Sequence, residues 1–320
     1  MQLLKERSFG DLFSDPFHFF RDNAKHILTN YFKLLGLFIL VILACMIPLA
    51  YHYYDFMMEL INSTSTGTPP DFKNIGTLYA NLFLHPSMLL MFVAFLAYSL
   101  MSYNFFPIYM NLYVQKGKQA FEFSDIINSF KENSGSIIKL FLILLLLFIP
   151  FYIAFAITAF ISLFTIVGIF LLFGFIISYF QLIWFTAVHN KEGNFDVLGK
   201  TFTLFKDNFF KITGVTILMY FCVMLIYYTF NFIFMLIIQI FFGFDMYDMN
   251  PGSVDQLEQF SDSFTTVIPA FIGMYGVLFL LMTFIGILMQ IQQGIIFYTR
   301  INDLEGHTEH SEIDSIGLEE

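Results

Sequence analysis

The chain has 320 residues, of which 58% are apolar and 12% charged, and its mean hydropathy is +0.72. Soluble domains carry about 25% charged residues, and no soluble core of this length could hide so much apolar surface, so lipid must be part of the solvent. The formal net charge is −10, but the average misleads, because the sign is sorted by location along the chain; nucleic acid is not an expected partner. Cys45 and Cys222 both fall inside apolar runs and read as small hydrophobes, without a disulfide framework or zinc spacing. Residues 1–33 are mixed polar, with phenylalanines spaced apart, so the first hydrophobic segment is expected to stay in the mature protein.

A membrane-crossing helix needs about 20 apolar residues, and the charge-free stretches locate the candidates. A short amphipathic helix comes first. Ser14-Asp15-Pro16 supplies its cap and first-turn proline, Phe17, Phe20 and Ile27 lie on one side, and it contains Phe20-Arg21-Asp22-Asn23. Residues 34–54 form the first span. An outer loop over about 55–86 follows, holding the turn-rich TSTGTPP patch and a sequon match at Asn62-Ser63-Thr64. The second span centres on 88–109. Ser124-Asp125 caps a second short helix, with Ile127 and Phe130 turned inward, that contains Phe130-Lys131-Glu132-Asn133. No Asp, Glu, Lys or Arg lies between Lys139 and Lys191; that stretch is too long for one crossing and reads as two spans split near 162–165. Leu198, Phe202, Phe205 and Phe209 make one helical stripe, and Phe205-Lys206-Asp207-Asn208 leads into the fifth span at 212–244. A second sizeable outer loop covers about 244–262. The sixth span occupies 263–299, and a flexible acidic tail, 301–320, ends the chain.

Three short helices therefore share a Phe, basic, acidic, Asn motif, each followed about ten residues later by a span. The even spans echo one another as well. Ser102-Tyr103-Asn104 precedes Gly117, Ser178-Tyr179-Phe180-Gln181 precedes Gly193, and Gln290, Gln292 and Gln293 precede Gly306. The chain reads as an all-α polytopic membrane protein. Its single transmembrane domain, 1–300, contains six spans in three interfacial-helix/hairpin repeats, about 9–115, 121–190 and 197–300. Cytoplasmic loops carry the excess of Lys and Arg. Of the fifteen basic residues, all but Lys73 fall on the side that holds both termini, so both termini are expected in the cytoplasm.

The tripled amphipathic helix with its F-[KR]-[DE]-N motif, feeding six spans, resembles the bacterial YciC-like and DUF975/DUF4013-like membrane proteins. It is also similar to the membrane domain fused to some glycerophosphodiester phosphodiesterases. The resemblance covers about 9–305 and implies a multi-pass protein of the bacterial inner membrane. It carries over no phosphodiesterase activity, because no soluble phosphodiesterase domain accompanies the spans.

The chemistry-bearing motifs of membrane enzymes are missing: there is no His-Glu-x-x-His, no Gly-x-Ser-x-Gly and no phosphate-binding Gly-x-x-x-x-Gly-Lys-Ser/Thr loop. No charged residue falls in the middle of a span, where such groups mark proton or ion pathways. No cofactor and no metal are expected. His307 and His310, with Glu309 and Glu312, sit in the tail, and His52 and His189 read as members of aromatic belts at opposite membrane edges. Pro48, Pro107, Pro150 and Pro269 lie in or near spans.

Polar amides remain: Asn104, Gln181, Asn231, Gln239, Gln290, Gln292 and Gln293. Each needs a partner, because an unsatisfied amide in hydrocarbon is costly. One reading is bonding between helices. The other is a polar cavity at the inner ends of helices 2, 4 and 6, lined by Asn104, Gln181, Gln290, Gln292 and Gln293. The three glutamines of helix 6 cannot share one face, so at least one is expected to meet headgroups or another subunit. The function expected from this pattern is that of a non-enzymatic membrane subunit or scaffold. Its partners would be membrane lipids and a membrane or cytoplasmic protein docked on the amphipathic helices through Phe20, Asn23, Phe130, Asn133, Phe205 and Asn208. A transporter or lipid-handling protein with an amide-lined cavity is the alternative.

Overall fold

The computed structural model describes residues 2–65, 76–77, 79–80, 83–162, 166–242 and 254–316, with only the backbone for 57–65, 254–267, 305–316 and a few positions near the outer helix ends. Among the described residues there are seven long or short α-helices and no strand: α1 (Phe9–Ser65), α2 (Pro86–Lys116), α3 (Phe123–Ser162), α4 (Ile166–Asn190), α5 (Asp196–Thr203), α6 (Phe209–Phe242) and α7 (Val254–Ile316). All but α5 contain a segment long and apolar enough to cross a membrane. The chain is a multi-pass helical membrane protein.

The charge-free stretches locate every span, and the break expected at 162–165 falls between the end of α3 and the start of α4. Helix ends differ from the sequence reading in several places, and α7 already begins at Val254, inside the outer loop expected over about 244–262. The first two amphipathic segments are not separate elements: α1 and α3 run from the motif into the span without a break. Only the third segment stands alone, as α5. There Asp207 takes a positive φ of 65°, and the turn before it is held by i to i+3 bonds from the N–H groups of Leu204, Phe205 and Lys206 to Thr201, Phe202 and Thr203. A left-handed residue cannot continue an α-helix. Helix α1 also continues past residue 55 to Ser65, and α7 continues through Ile316 where a flexible tail was expected. Neither extension contains a proline; the first carries Met57, Met58, Glu59 and Leu60, and the second Leu304, Glu305, Glu309 and Glu312, all helix formers. The outer segments 66–75 and 243–253, the Asn62 side chain and the tail histidines lie outside the described residues or side chains.

The chain divides into two compact units. The first comprises residues 1–31, 101–223 and 285–320; the second comprises 32–100 and 224–284. In the second unit, Ile238, Met274 and Leu278 form a buried cluster against Tyr227, Phe234, Phe271 and Leu281. The His52 and His85 rings lie 3.8 Å apart, and His85 Nδ1 is 2.6 Å from Ser87 Oγ. His52 therefore has a histidine neighbour beyond the expected tyrosine belt. Asn231 is half-buried and Gln239 exposed here.

The first unit holds most of the buried polar groups. Its centre is α7, in which every residue from Gln290 to Arg300 is buried. A helix buried all round must be enclosed by others, and small residues permit the close approach. A side chain on Gly294 would collide with Met110 of α2 and with the Phe185 ring of α4. One on Gly174 of α4 would meet Ile217 of α6 at 2.5 Å. The loop after α4 is seated as tightly on α3: Ser136 Oγ donates to the Lys191 carbonyl at 3.0 Å, and Gly193 lies against the Ser136 backbone.

The motif residues divide by burial. Asn23 and Asn133 are buried, and each donates from Nδ2 to the carbonyl four residues earlier, Phe19 at 2.9 Å and Ser129 at 2.8 Å. Phe205 is buried too, while Phe20, Phe130 and Asn208 are half-buried. The inward faces are rotated from the expected ones. On α1 it is Phe19 with Ile27, not Phe17 and Phe20, that points in; on α3 it is Ile126, and Ile127 is half-buried. Of the stripe on the third segment, Phe202 is 61% exposed. Side chains buried inside the unit are spent on its own packing, so a docking face could use only the exposed members.

Candidate functional site

Of the amides singled out from the sequence, Asn104, Gln181, Gln290, Gln292 and Gln293 sit in the first unit, and the three glutamines of α7 link helices. Gln290 Nε2 donates to Ser102 Oγ of α2 at 3.3 Å, and Ser102 Oγ is itself 2.9 Å from Tyr31 Oη of α1. Gln292 Nε2 donates to the Val215 carbonyl of α6 at 3.2 Å. Gln293 Nε2 donates to Thr216 Oγ1 of α6 at 3.0 Å, which also accepts from Ser178 Oγ of α4 at 2.7 Å. The three glutamines thus point to different neighbours and yet are all buried. No headgroup or second subunit is needed to meet one of them, because this stretch of α7 is enclosed on every side. Asn104 is fully buried and Gln181 half-buried. Neither is tied to the glutamine chain by the bonds above.

The seam is not saturated. The acceptor oxygens of Gln181, Gln290, Gln292 and Gln293, and the Thr213 hydroxyl, have no hydrogen-bond partner among the described residues. Gln290, Gln292 and Gln293 each use one of their two polar ends, so the arrangement locks α7 to α2 and α6 while leaving acceptor capacity inside the unit.

A second polar cluster closes the end of the first unit that carries the basic residues. The Arg7 side chain has no exposed surface. Its Nε donates to Asp15 Oδ2 at 2.8 Å, Nη1 to the Leu3 carbonyl at 2.7 Å and to Thr299 Oγ1 of α7 at 2.8 Å, and Nη2 to the Gln2 carbonyl at 2.8 Å. Burial pulls the guanidinium below its ordinary value, and Asp15 and Asp11 oppose that pull; arginine stays charged throughout. Arg300 does the corresponding work from α7. Its Nε reaches the Leu204 carbonyl at 2.8 Å and Nη2 the Lys206 carbonyl at 2.9 Å, while Nη1 pairs with Asp303. The turn after α5 ends in carbonyls without helical partners, and Arg300 supplies their donors. Glu6, Arg7, Ser8, Lys211 and Asp303 line a polar cavity of about 480 Å³ beside this cluster, and Lys211 donates to the Arg7 carbonyl.

His26 bridges two elements as well, with Nδ1 2.8 Å from Tyr109 Oη and Nε2 3.0 Å from the Phe121 carbonyl. Gln119, in a left-handed conformation, donates to Asn23 Oδ1 at 3.1 Å. His189 packs edge-on against Phe297 and Tyr298. The sequence reading missed Arg7, Arg300, His26, Ser178, Thr213 and Thr216 as structural residues. Apart from Thr213, whose buried hydroxyl has no partner among the described residues, each has a partner on a distant part of the chain, such as Thr299 for Arg7 and Leu204 for Arg300, which no local pattern reports. No group of three or more His, Cys, Asp or Glu side chains able to hold a metal occurs among the described residues.

This architecture and this site define a helical multi-pass membrane protein with an internally bonded polar seam. No protein-family model, no curated protein and no solved structure matches the chain.

Proposed function

We propose that the protein is a non-enzymatic subunit or accessory factor of a larger assembly in the bacterial inner membrane, with both termini in the cytoplasm. The observation that supports it best is the use of the polar groups: the glutamines of α7, Arg7 and Arg300 all bond to neighbouring helices or turns of the same chain. Groups spent this way hold helices in place. The sidedness rests on the basic residues, all but one of which lie on the side of the termini. The inner-membrane location rests on the resemblance to the YciC-like proteins. The test is purification of the full chain from its native membrane in mild detergent, with mass spectrometry of what co-elutes. A reproducible protein partner near equal stoichiometry is the expected result, and a protein that elutes alone overturns the proposal. For sidedness, cysteines placed at Lys118 and Lys200 should react with an impermeant maleimide only after the membrane is opened.

A transport or lipid-handling role is the second reading, and the unpartnered acceptor oxygens of Gln290, Gln292 and Gln293 favour it. The double substitution Gln292→Leu, Gln293→Leu separates the two. Bonds between membrane helices contribute about 0.6 kcal/mol each on average. If the amides serve only as links, the variant keeps its partner and loses only a few degrees in Tm. Loss of solute or lipid binding at unchanged Tm would favour the cavity.

A further inference from the structure

The hairpin of α3 and α4 carries a groove that the seam does not use. Its volume is about 350 Å³, within the range of small-molecule sites. Leu144, Phe148 and Tyr152 of α3 form one wall, Phe173 and Tyr179 of α4 the other, and Leu198 of α5 closes one end. The lining is nearly all hydrocarbon. Of its two tyrosines, Tyr179 already donates its hydroxyl to the Leu198 carbonyl at 2.9 Å, which leaves only the Tyr152 hydroxyl among the lining residues open to an occupant. Phe148 is 67% and Tyr152 64% exposed, so the groove opens sideways into the bilayer.

Length and charge narrow the occupant. On α3 the groove extends from Leu144 to Phe155, about 17 Å at 1.5 Å per residue. That is close to half of the roughly 30 Å hydrocarbon core, one leaflet's depth. The end closed by Leu198 is the end where both helices meet water, and three cations stand there. Lys139 is exposed, Lys191 lies 3.9 Å from Glu132, and Lys200 is bonded to Glu192. An ammonium at headgroup level attracts anionic phosphate.

We propose that this groove is a binding site for one acyl chain of a phospholipid, seated with its headgroup at the Lys139, Lys191 and Lys200 end. The site is independent of the subunit role. It requires only that α3 and α4 cross the membrane.

The full chain would be placed in vesicles of phosphatidylethanolamine and phosphatidylglycerol, with a trace of phosphatidylglycerol carrying a diazirine midway along one chain. After illumination, adducts would be mapped by mass spectrometry. Adducts should concentrate on 144–155 and 173–183, about tenfold over Leu218 and Phe221 of α6, the ratio that a preference of about 1.4 kcal/mol for the groove gives. Those two residues are comparably lipid-facing, at 41% and 50% exposure. Ile176→Trp fills the groove from α4 and should lower the groove adducts to the Leu218 level. Leu147→Trp, from the opposite wall, should do the same, and each variant is scored only as a monodisperse protein with unchanged Tm. Even labelling of all lipid-facing positions, adducts undiminished in both variants, or crosslinks from the groove to another protein helix would each overturn the proposal.

Discussion

Arg7→Met should lower the stability of the protein by about 3 kcal/mol, in the range measured when one partner of a buried ion pair is removed. At roughly 2 °C per kcal/mol for a chain of this size, Tm falls by about 6 °C. The change leaves Asp15 with only Lys5, at 3.1 Å, and strips donors from the Gln2 and Leu3 carbonyls and from Thr299. Lysine cannot repair the loss. It brings three donors on one nitrogen, whereas Arg7 reaches its partners along three directions from a planar fork. Arg7→Lys should therefore recover less than half of the Tm. Arg21→Met is the control: its side chain is 75% exposed beside Asp22, and surface pairs of this kind contribute little. A scanning-fluorimetry Tm for Arg7→Met equal to that of Arg21→Met would remove Arg7 from the clasp.

The second large effect comes from one missing methyl group. Gly193→Ala would place a Cβ 2.6 Å from Ser136 Cα and 2.7 Å from its carbonyl carbon. The obstacle is backbone inside helix α3, so no side chain can swing aside. Either the loop lifts or the helix shifts, and the Ser136–Lys191 bond goes with it. Overpacking of well-filled sites costs about 1–3 kcal/mol, and a backbone collision belongs at the upper end. Gly199 makes the opposite case. It lies in α5, and an added Cβ would meet nothing within 4 Å. Gly199→Ala should stabilise by about 0.5–1 kcal/mol through helix propensity alone. Opposite shifts in Tm for two Gly→Ala changes a few residues apart would locate the tight contact at Ser136; equal shifts would rule it out.

The spans were readable because lipid imposes one requirement that sequence displays directly, a long run without charge. The division between α3 and α4 was readable for the same reason, since the 51 residues between Lys139 and Lys191, without Asp, Glu, Lys or Arg, exceed one crossing. Burial around a helix was less readable. The buried members of the first two amphipathic segments are Phe19 and Ile126, each one place away from the residue that an isolated stripe selects, because inward direction is set by neighbouring helices. The glutamines of α7 carried a correct signal, that each amide needs a partner, and an incorrect corollary, that three faces need three environments. Enclosure by α2, α4 and α6 satisfies the signal and cancels the corollary. Arg7 and Arg300 were legible only as positive charges. Their second role depends on carbonyls at Gln2, Leu3, Leu204 and Lys206, and every residue has a carbonyl.

The enclosed position of residues 290–300 also bears on biogenesis. Synthesis proceeds from the N-terminus, so α7 enters the membrane after the helices that surround it. Until it arrives, Ser102 and Thr216 lack the glutamines that donate to them. The nascent chain must hold α1 to α6 near one another yet unlocked, and the arrival of one span completes the unit. A chain stalled before residue 285 would leave the Ser102 and Thr216 hydroxyls without their glutamine partners. Membrane quality-control proteases select such features, so interrupted chains should be degraded while finished ones persist.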